Sequence, residues 1–318
     1  MRLAAQVQEH LDFEEPMPPG LTLSATRAHL RRQLDRNFTR FGLPGPPVAS
    51  IEDHRVDVVG GAVTVRLYRP LSELDTLPVH VLLHGGGWTS GSIDELVSDA
   101  VARHRAAGAD VVVAAVGYRL APEFPFPTAI FDVIAVVRWI TRRSAHLGVG
   151  AEISLAGNSA GANLAAAAVL AAPDLALAGL VLEVPALDLT GRSALAELER
   201  LDHDDSEPLL ASRDLYLGDR VHEAASPLAS PLFAADLSWF PPTWVLTGGL
   251  DPLVAEGEAF AQRLRSAGVA VQYQCYPGAR HGSPLLTKTW PVARAWLDDT
   301  VRAVRTIHHD GLPQEGVQ

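Results

Sequence analysis

The sequence predicts an α/β fold: a mostly parallel sheet of eight strands flanked by helices on both faces. Three observations carry this. Two strand-like runs, Val56–Val59 and Ala62–Arg69, flank Gly60-Gly61 and signal a hairpin. Six further short apolar runs then alternate with helical stretches, the pattern of strands joined by helical crossovers. The alternation breaks once, over residues 188–225, which carry no strand signal.

In chain order, residues 1–48 read as helices closed by the breaker cluster Leu43-Pro44-Gly45-Pro46-Pro47. Within them, Thr26–Phe41 spaces Leu30, Leu34 and Phe38 at four-residue intervals, one apolar helical stripe among arginines. Such a stripe needs a partner surface, so this segment is expected to lie over the main domain. The six later strands are expected at Val79–Leu83, Val111–Gly117, Ile153–Ala156, Gly179–Val184, Thr243–Thr247 and Val271–Tyr276. Helices are expected near 93–107, 128–147, 160–172, 253–267 and 288–307. Residues 188–225, rich in Glu, Asp and Leu, read as an inserted helical segment; insertions at the carboxyl edge of such a sheet commonly form lids. The chain beyond about Arg305 is expected to fray.

The 318 residues fit one large α/β domain with an appendage. A net charge of −11 with no basic patch argues against a nucleic-acid partner. Cys275, the single cysteine, excludes an intramolecular disulfide and is expected to be a buried structural thiol. The near-apolar stretch from Ala160 to Ala186 is interrupted by Pro173, Asp174 and Glu183, so it reads as a helix and a strand and not as a membrane span. The first residues show no apolar core of a secretory leader, which makes the cytoplasm the expected compartment. The run Asp202-His203-Asp204-Asp205 reads as a solvated loop, not as a metal site.

The chemistry concentrates in four places. Gly157-Asn158-Ser159-Ala160-Gly161 follows an expected strand and opens an Ala-rich helix, the context a nucleophile elbow requires. A serine on so tight a turn needs small residues two before and two after it. Earlier, His84-Gly85-Gly86-Gly87-Trp88 follows Val79–Leu83, and its glycines let main-chain amides approach a ligand. Such amides, aimed at a developing oxyanion, contribute ~3–4 kcal/mol each. No Lys-Ser or Lys-Thr pair follows, which excludes a P-loop. His84 itself is expected to brace the loop. Asp251 and His281 each follow a later strand, and Ser159, Asp251 and His281 stand in the chain order of a serine triad on an α/β sheet.

Together, His84–Trp88, Tyr118-Arg119-Leu120-Ala121-Pro122-Glu123, Gly157–Gly161, Asp251-Pro252-Leu253 and His281-Gly282 resemble the hormone-sensitive-lipase-like family, the bacterial family IV esterases of the α/β-hydrolase fold. The resemblance covers about residues 50–305. It implies that Gly85, Gly86 or Gly87, with Ala160, supplies the oxyanion amides, Gly86 being the best single choice. It also implies a two-part helical cap from residues 1–48 and 188–225, over a core of 49–187 and 226–310 with a tail at 311–318. Two positions depart from the family pattern: Asn158 stands where Asp is usual, and Ser283 where an aromatic is common. Both, with Trp88, are expected near the substrate, and Tyr118–Glu123 is expected to act as a structural brace.

The expected activity is hydrolysis of short- to medium-chain carboxylic esters by acyl transfer through Ser159, with no metal or other cofactor. The expected partner is a small-molecule ester, with no membrane surface; a homodimer paired through Val271–Tyr276 is consistent with the resemblance. The alternatives are acyl transfer or lactone chemistry on a biosynthetic intermediate, and a binding protein on the same scaffold.

Overall fold

The computed structural model describes residues 4–202 and 206–310; His203, Asp204 and Asp205, like the tail at 311–318, lie outside the described residues. The chain enters the sheet through β1 (Ser50–Val58) and β2 (Gly61–Arg69), joined by the expected turn with Val58 opposite Gly61. β3 (Val79–Leu83), β4 (Val112–Gly117), β5 (Ile153–Asn158), β6 (Leu177–Glu183), β7 (Thr243–Gly248) and β8 (Val271–Tyr276) follow. The spatial order is β1-β2-β4-β3-β5-β6-β7-β8. β2 alone runs against its neighbours; every other pairing is parallel. The cause is local: a tight turn makes β1 and β2 antiparallel, whereas from β3 onward a helical crossover brings the chain back before each new strand.

Helices α3 (Leu96–Ala109) and α9 (Pro291–Arg305) cover one face, around Ala102, Ala106, Trp296 and Val304. On the other lie α4 (Thr128–Leu147), α5 (Ala160–Ala171) and α8 (Val254–Ser266), around Ile130, Val137, Leu164 and Phe260. α5 is buried along nearly its whole length, and its alanines let it come close to the sheet. That close seat matters because α5 begins directly after Ser159.

Two helical segments lie outside these layers. α1 (Ala5–Phe13) and α2 (Leu23–Phe41) precede the sheet, and Phe38 and Phe41 bury against the α9 side of the core. α6 (Arg192–Leu201), α7 (Ser206–Leu217) and a 3-10 turn at Gly218–Glu223 fill the break in the strand alternation. No helix of the described residues is long and apolar enough to cross a membrane.

Two expectations need correction. Thr306–Asp310 does not fray: it continues α9 as a π-helical turn, with the His308 side chain fully buried. Cys275 is only half-buried, because β8 is the last strand of the sheet and its side chains alternate between cover and solvent.

Candidate active site

β5 ends at Asn158, and the chain reverses through Ser159 into α5. Ser159 takes φ 55° and ψ −115°, a strained conformation for any residue with a Cβ. The neighbours show why glycine flanks it. A Cβ at Gly157 would lie 2.2 Å from the Gly161 carbonyl, and one at Gly161 would lie 2.5 Å from the carbonyl oxygens of Leu83 and His84. The Ser159 amide donates to the Glu183 carbonyl at 2.8 Å, which pins the turn to β6. The hydroxyl is thereby held above the carboxyl edge of the sheet.

The loops after β7 and β8 bring the other two predicted groups to it. His281 Nε2 lies 2.8 Å from Ser159 Oγ, and His281 Nδ1 lies 2.8 Å from Asp251 Oδ2. Asp251 is fully buried, and its other carboxylate oxygen accepts from the Leu253 amide at 2.9 Å. That second bond fixes the carboxylate plane. With Nδ1–H donated to Asp251, Nε2 is left as the acceptor for the serine hydroxyl. Burial works against an imidazolium at His281, but the adjacent Asp251 carboxylate outweighs it, and the net shift of the imidazole is upward from 6.5.

The glycine loop closes the third side. Gly86 and Gly87 have φ of 119° and 57°, and a Cβ at Gly86 would lie 2.3 Å from the Ser90 carbonyl oxygen. The amides of Gly86, Gly87 and Ala160 donate to no acceptor among the described residues. His84 braces the loop as expected: its Nδ1 lies 2.8 Å from the Gly85 carbonyl oxygen and its ring stacks on Tyr118, whose hydroxyl donates to the His84 carbonyl at 2.7 Å. Burial lowers the His84 imidazole to about 4, so it is neutral and takes no proton from Ser159 at physiological pH. Glu123 also serves as a brace. It receives Arg27 of α2 in a two-pronged pair at 2.7 and 2.8 Å, tying α2 to the sheet edge.

A model of the α/β hydrolase fold matches residues 80–285, the span that holds Ser159, Asp251, His281 and the glycine loop. The chain belongs to the α/β-hydrolase-fold family. It is 36% identical over 245 residues to carboxylesterase NlhH of Mycobacterium tuberculosis, covering 74% of this chain and 76% of that protein. It is 35% identical over 240 residues to an ethyl acetate hydrolase of Pseudomonas putida, covering 70% and 71% of the two chains. Among solved structures, the thermostable carboxylesterase EstE1, cloned from a metagenomic library, superposes with a TM-score of 0.84 at 31% identity, over 92% of this chain and 99% of that one.

In this α/β hydrolase, Ser159 and His281 open onto a cavity of about 620 Å³. Leu82, Ile93, Val97, Val101 and Ala115 give it an apolar wall, and Leu30, Gln33, Leu34 and Asn37 of α2 cover it. Asn158 lines it, its Oδ1 close against Gly85. The other two expected substrate contacts lie elsewhere. Trp88 is buried outside the cavity lining, donating from Nε1 to Asn163 at 3.2 Å and stacking on Tyr216 of α7 at 4.8 Å. Ser283 is also buried: its hydroxyl accepts from the Arg280 amide at 2.8 Å and closes the turn that carries His281. Pro284 and Leu285 line the cavity in its place.

Three carboxyl groups near the site have no motif to announce them. Glu256 is buried behind Asp251 and accepts from the amides of Leu187 and Asp188, anchoring the entry to the inserted helices. Burial pushes its carboxyl well above the ordinary range. Glu183, at the end of β6, lines the cavity while pairing with buried Arg105 and accepting from Trp296 Nε1 at 2.9 Å. Glu95 lines it from the start of α3.

Proposed function

We propose that this protein is a serine carboxylesterase of the hormone-sensitive-lipase-like, bacterial family IV type, acting on short- to medium-chain carboxylic esters. One observation carries the reading. A continuous hydrogen-bond chain runs from Ser159 Oγ through His281 to buried Asp251, and it opens on a cavity beside undonated backbone amides.

His281 Nε2 takes the hydroxyl proton as Ser159 Oγ attacks the ester carbonyl. Asp251 holds the required tautomer and stabilises the imidazolium. The Gly86 and Gly87 amides, with that of Ala160 at the N-terminus of α5, receive the oxyanion. The imidazolium then protonates the departing alcohol and leaves an acyl-serine. Water, deprotonated by the same imidazole, releases the acid and restores the hydroxyl. Helices α1 and α2 and the inserted α6 and α7 act as the cap, of which α2 lies directly over the cavity and limits the volume open to the acyl chain. The hydrolase names of the relatives speak against acyl transfer or lactone formation as the main activity, and the ethyl acetate hydrolase supports a small acyl group.

A fluorophosphonate probe should modify Ser159 stoichiometrically and abolish hydrolysis of p-nitrophenyl esters, whose rates should decline toward long acyl chains. Peptide mapping that places the adduct on another serine would reject Ser159 as the nucleophile.

A further inference from the structure

The cavity beside Ser159 carries charge that the ester reaction does not use. Glu95 lines it and is only 6% exposed, yet its carboxylate has no ion pair or side-chain hydrogen bond among the described residues. It stands at the N-cap of α3 but makes no side-chain cap bond, and the first helical amide, that of Leu96, donates to Asp35 at 2.9 Å instead. Burial pushes the Glu95 carboxyl up to about 7; the Ser92 amide opposes this, Asp35 and Asp94 reinforce it, and Arg31 opposes it. A buried carboxyl without an ion pair is unfavourable, and it stands where a ligand's positive group would relieve it.

The rest of the lining has the same polarity. Glu183 and Glu14 are its other acids, and Glu183 is already matched by Arg105. The cation of the lining, Arg27, is taken up by Glu123 and by the carbonyls of Thr89 and Ala121. No phenylalanine, tyrosine or tryptophan lines the cavity, so an aromatic cage cannot hold a cation there and charge must do so.

We propose that the preferred substrate is an ester whose alcohol or acyl part carries an ammonium group, and that Glu95 receives that group while Ser159 attacks the carbonyl. The proposal rests on the serine-esterase reading and adds the substrate class. Glu95 selects the ester; it takes no part in proton transfer.

The test compares choline butyrate with its neutral isostere, in which carbon replaces the quaternary nitrogen. A second pair carries the cation on the acyl side. The quaternary nitrogen activates the leaving group by itself, and Glu95→Gln retains that intrinsic effect. The quantity to read is therefore the change in the cationic-to-neutral ratio of kcat/KM between wild type and Glu95→Gln. It should fall about tenfold for at least one pair, as expected for a partly desolvated charge pair. An unchanged ratio for both pairs, in a variant that still reacts with fluorophosphonate, overturns the proposal. Should the variant misfold, inhibition of the wild type decides: choline should inhibit about tenfold better than its neutral isostere, and equal inhibition overturns the proposal. Hydrolysis of neutral esters without any advantage for a cation removes Glu95 from recognition and leaves the esterase reading standing. Absence of adduct at Ser159 overturns both.

Discussion

One serine lies near the start of β5 and another directly after its end, and each is bonded to a histidine that is bonded to a carboxylate. At the carboxyl end the set is Ser159, His281 and Asp251, with both contacts at 2.8 Å. At the amino end it is Ser154, His308 and Glu152, with contacts of 2.7 and 2.8 Å. Hydrogen-bond lengths alone do not tell them apart. Their surroundings do. Ser159 sits on a strained turn facing a cavity, with undonated amides beside it. Ser154 lies within the strand, is fully buried, and has His80 Nδ1 2.8 Å from its hydroxyl oxygen. No substrate carbonyl can reach it.

The acids differ as well, and the two imidazoles move in opposite directions. Asp251 is buried, so little solvent weakens its field, and the His281 imidazole is raised despite its partial desolvation. Glu152 is half exposed; burial dominates at His308 and lowers it. The amino-end set thus reads as a structural clasp holding the turn after α9 to the sheet. A nucleophile needs an accessible turn and oxyanion donors as well as a base.

The sharpest way to break this comparison is to remove each serine. Ser159→Ala should lower kcat on a short p-nitrophenyl ester by ~10⁴-fold or more. Ser154→Ala should leave kcat within a few-fold while costing ~1–3 kcal/mol of stability, through the partners it leaves unsatisfied. Similar rate losses would erase the distinction.

Changing the acids gives the next largest effect. Protonated His281 cannot take the Ser159 proton, so kcat/KM should fall as pH drops through a value above 6.5. Asp251→Asn removes the carboxylate that raises the imidazole, so this limb should move to lower pH, with kcat reduced ~10⁴-fold by loss of the correct tautomer. Glu152→Gln should leave both the limb and the rate in place. A pH–rate profile of the three proteins checks all of this.

The smallest effect is expected at the clasp histidine. His308→Ala removes the buried link between Glu152 and Ser154 and should lower Tm by about 1.5–3 °C, a loss of ~1–2 kcal/mol in a chain of this size. Thermal unfolding followed by circular dichroism measures it, and an unchanged Tm would show that the clasp bears no weight.

Much of the catalytic constellation was legible without coordinates, because it depends on short-range constraints. Glycines at 157 and 161 are forced because a Cβ at either would lie 2.2 or 2.5 Å from neighbouring backbone atoms. The strands Val79–Leu83 and Val271–Tyr276 and the helix Thr128–Leu147 fall at the residues their apolar patterns indicate. Side-chain destinations were less legible. Trp88 and Ser283 were expected at the substrate because of their neighbours in sequence, but packing turns Trp88 toward Asn163 and Tyr216, and a backbone amide claims Ser283. Glu183 read only as an interruption of an apolar run, since its partner Arg105 lies 78 residues away.

By itself, then, the sequence determined the order of strands and helices, the elbow at Ser159, the glycine loop, and the arrival of Asp251 and His281 after later strands. These follow from local sterics, hydrophobic periodicity and chain order. Only the tertiary structure decided which serine–histidine–carboxylate set is open to a substrate, and that Glu95 is buried in the cavity wall with no ion pair among the described residues. The physical reason is that desolvation is not a local property. A carboxyl such as Glu95 becomes a recognition group only when elements distant in the chain exclude water from it and leave it without an ion pair.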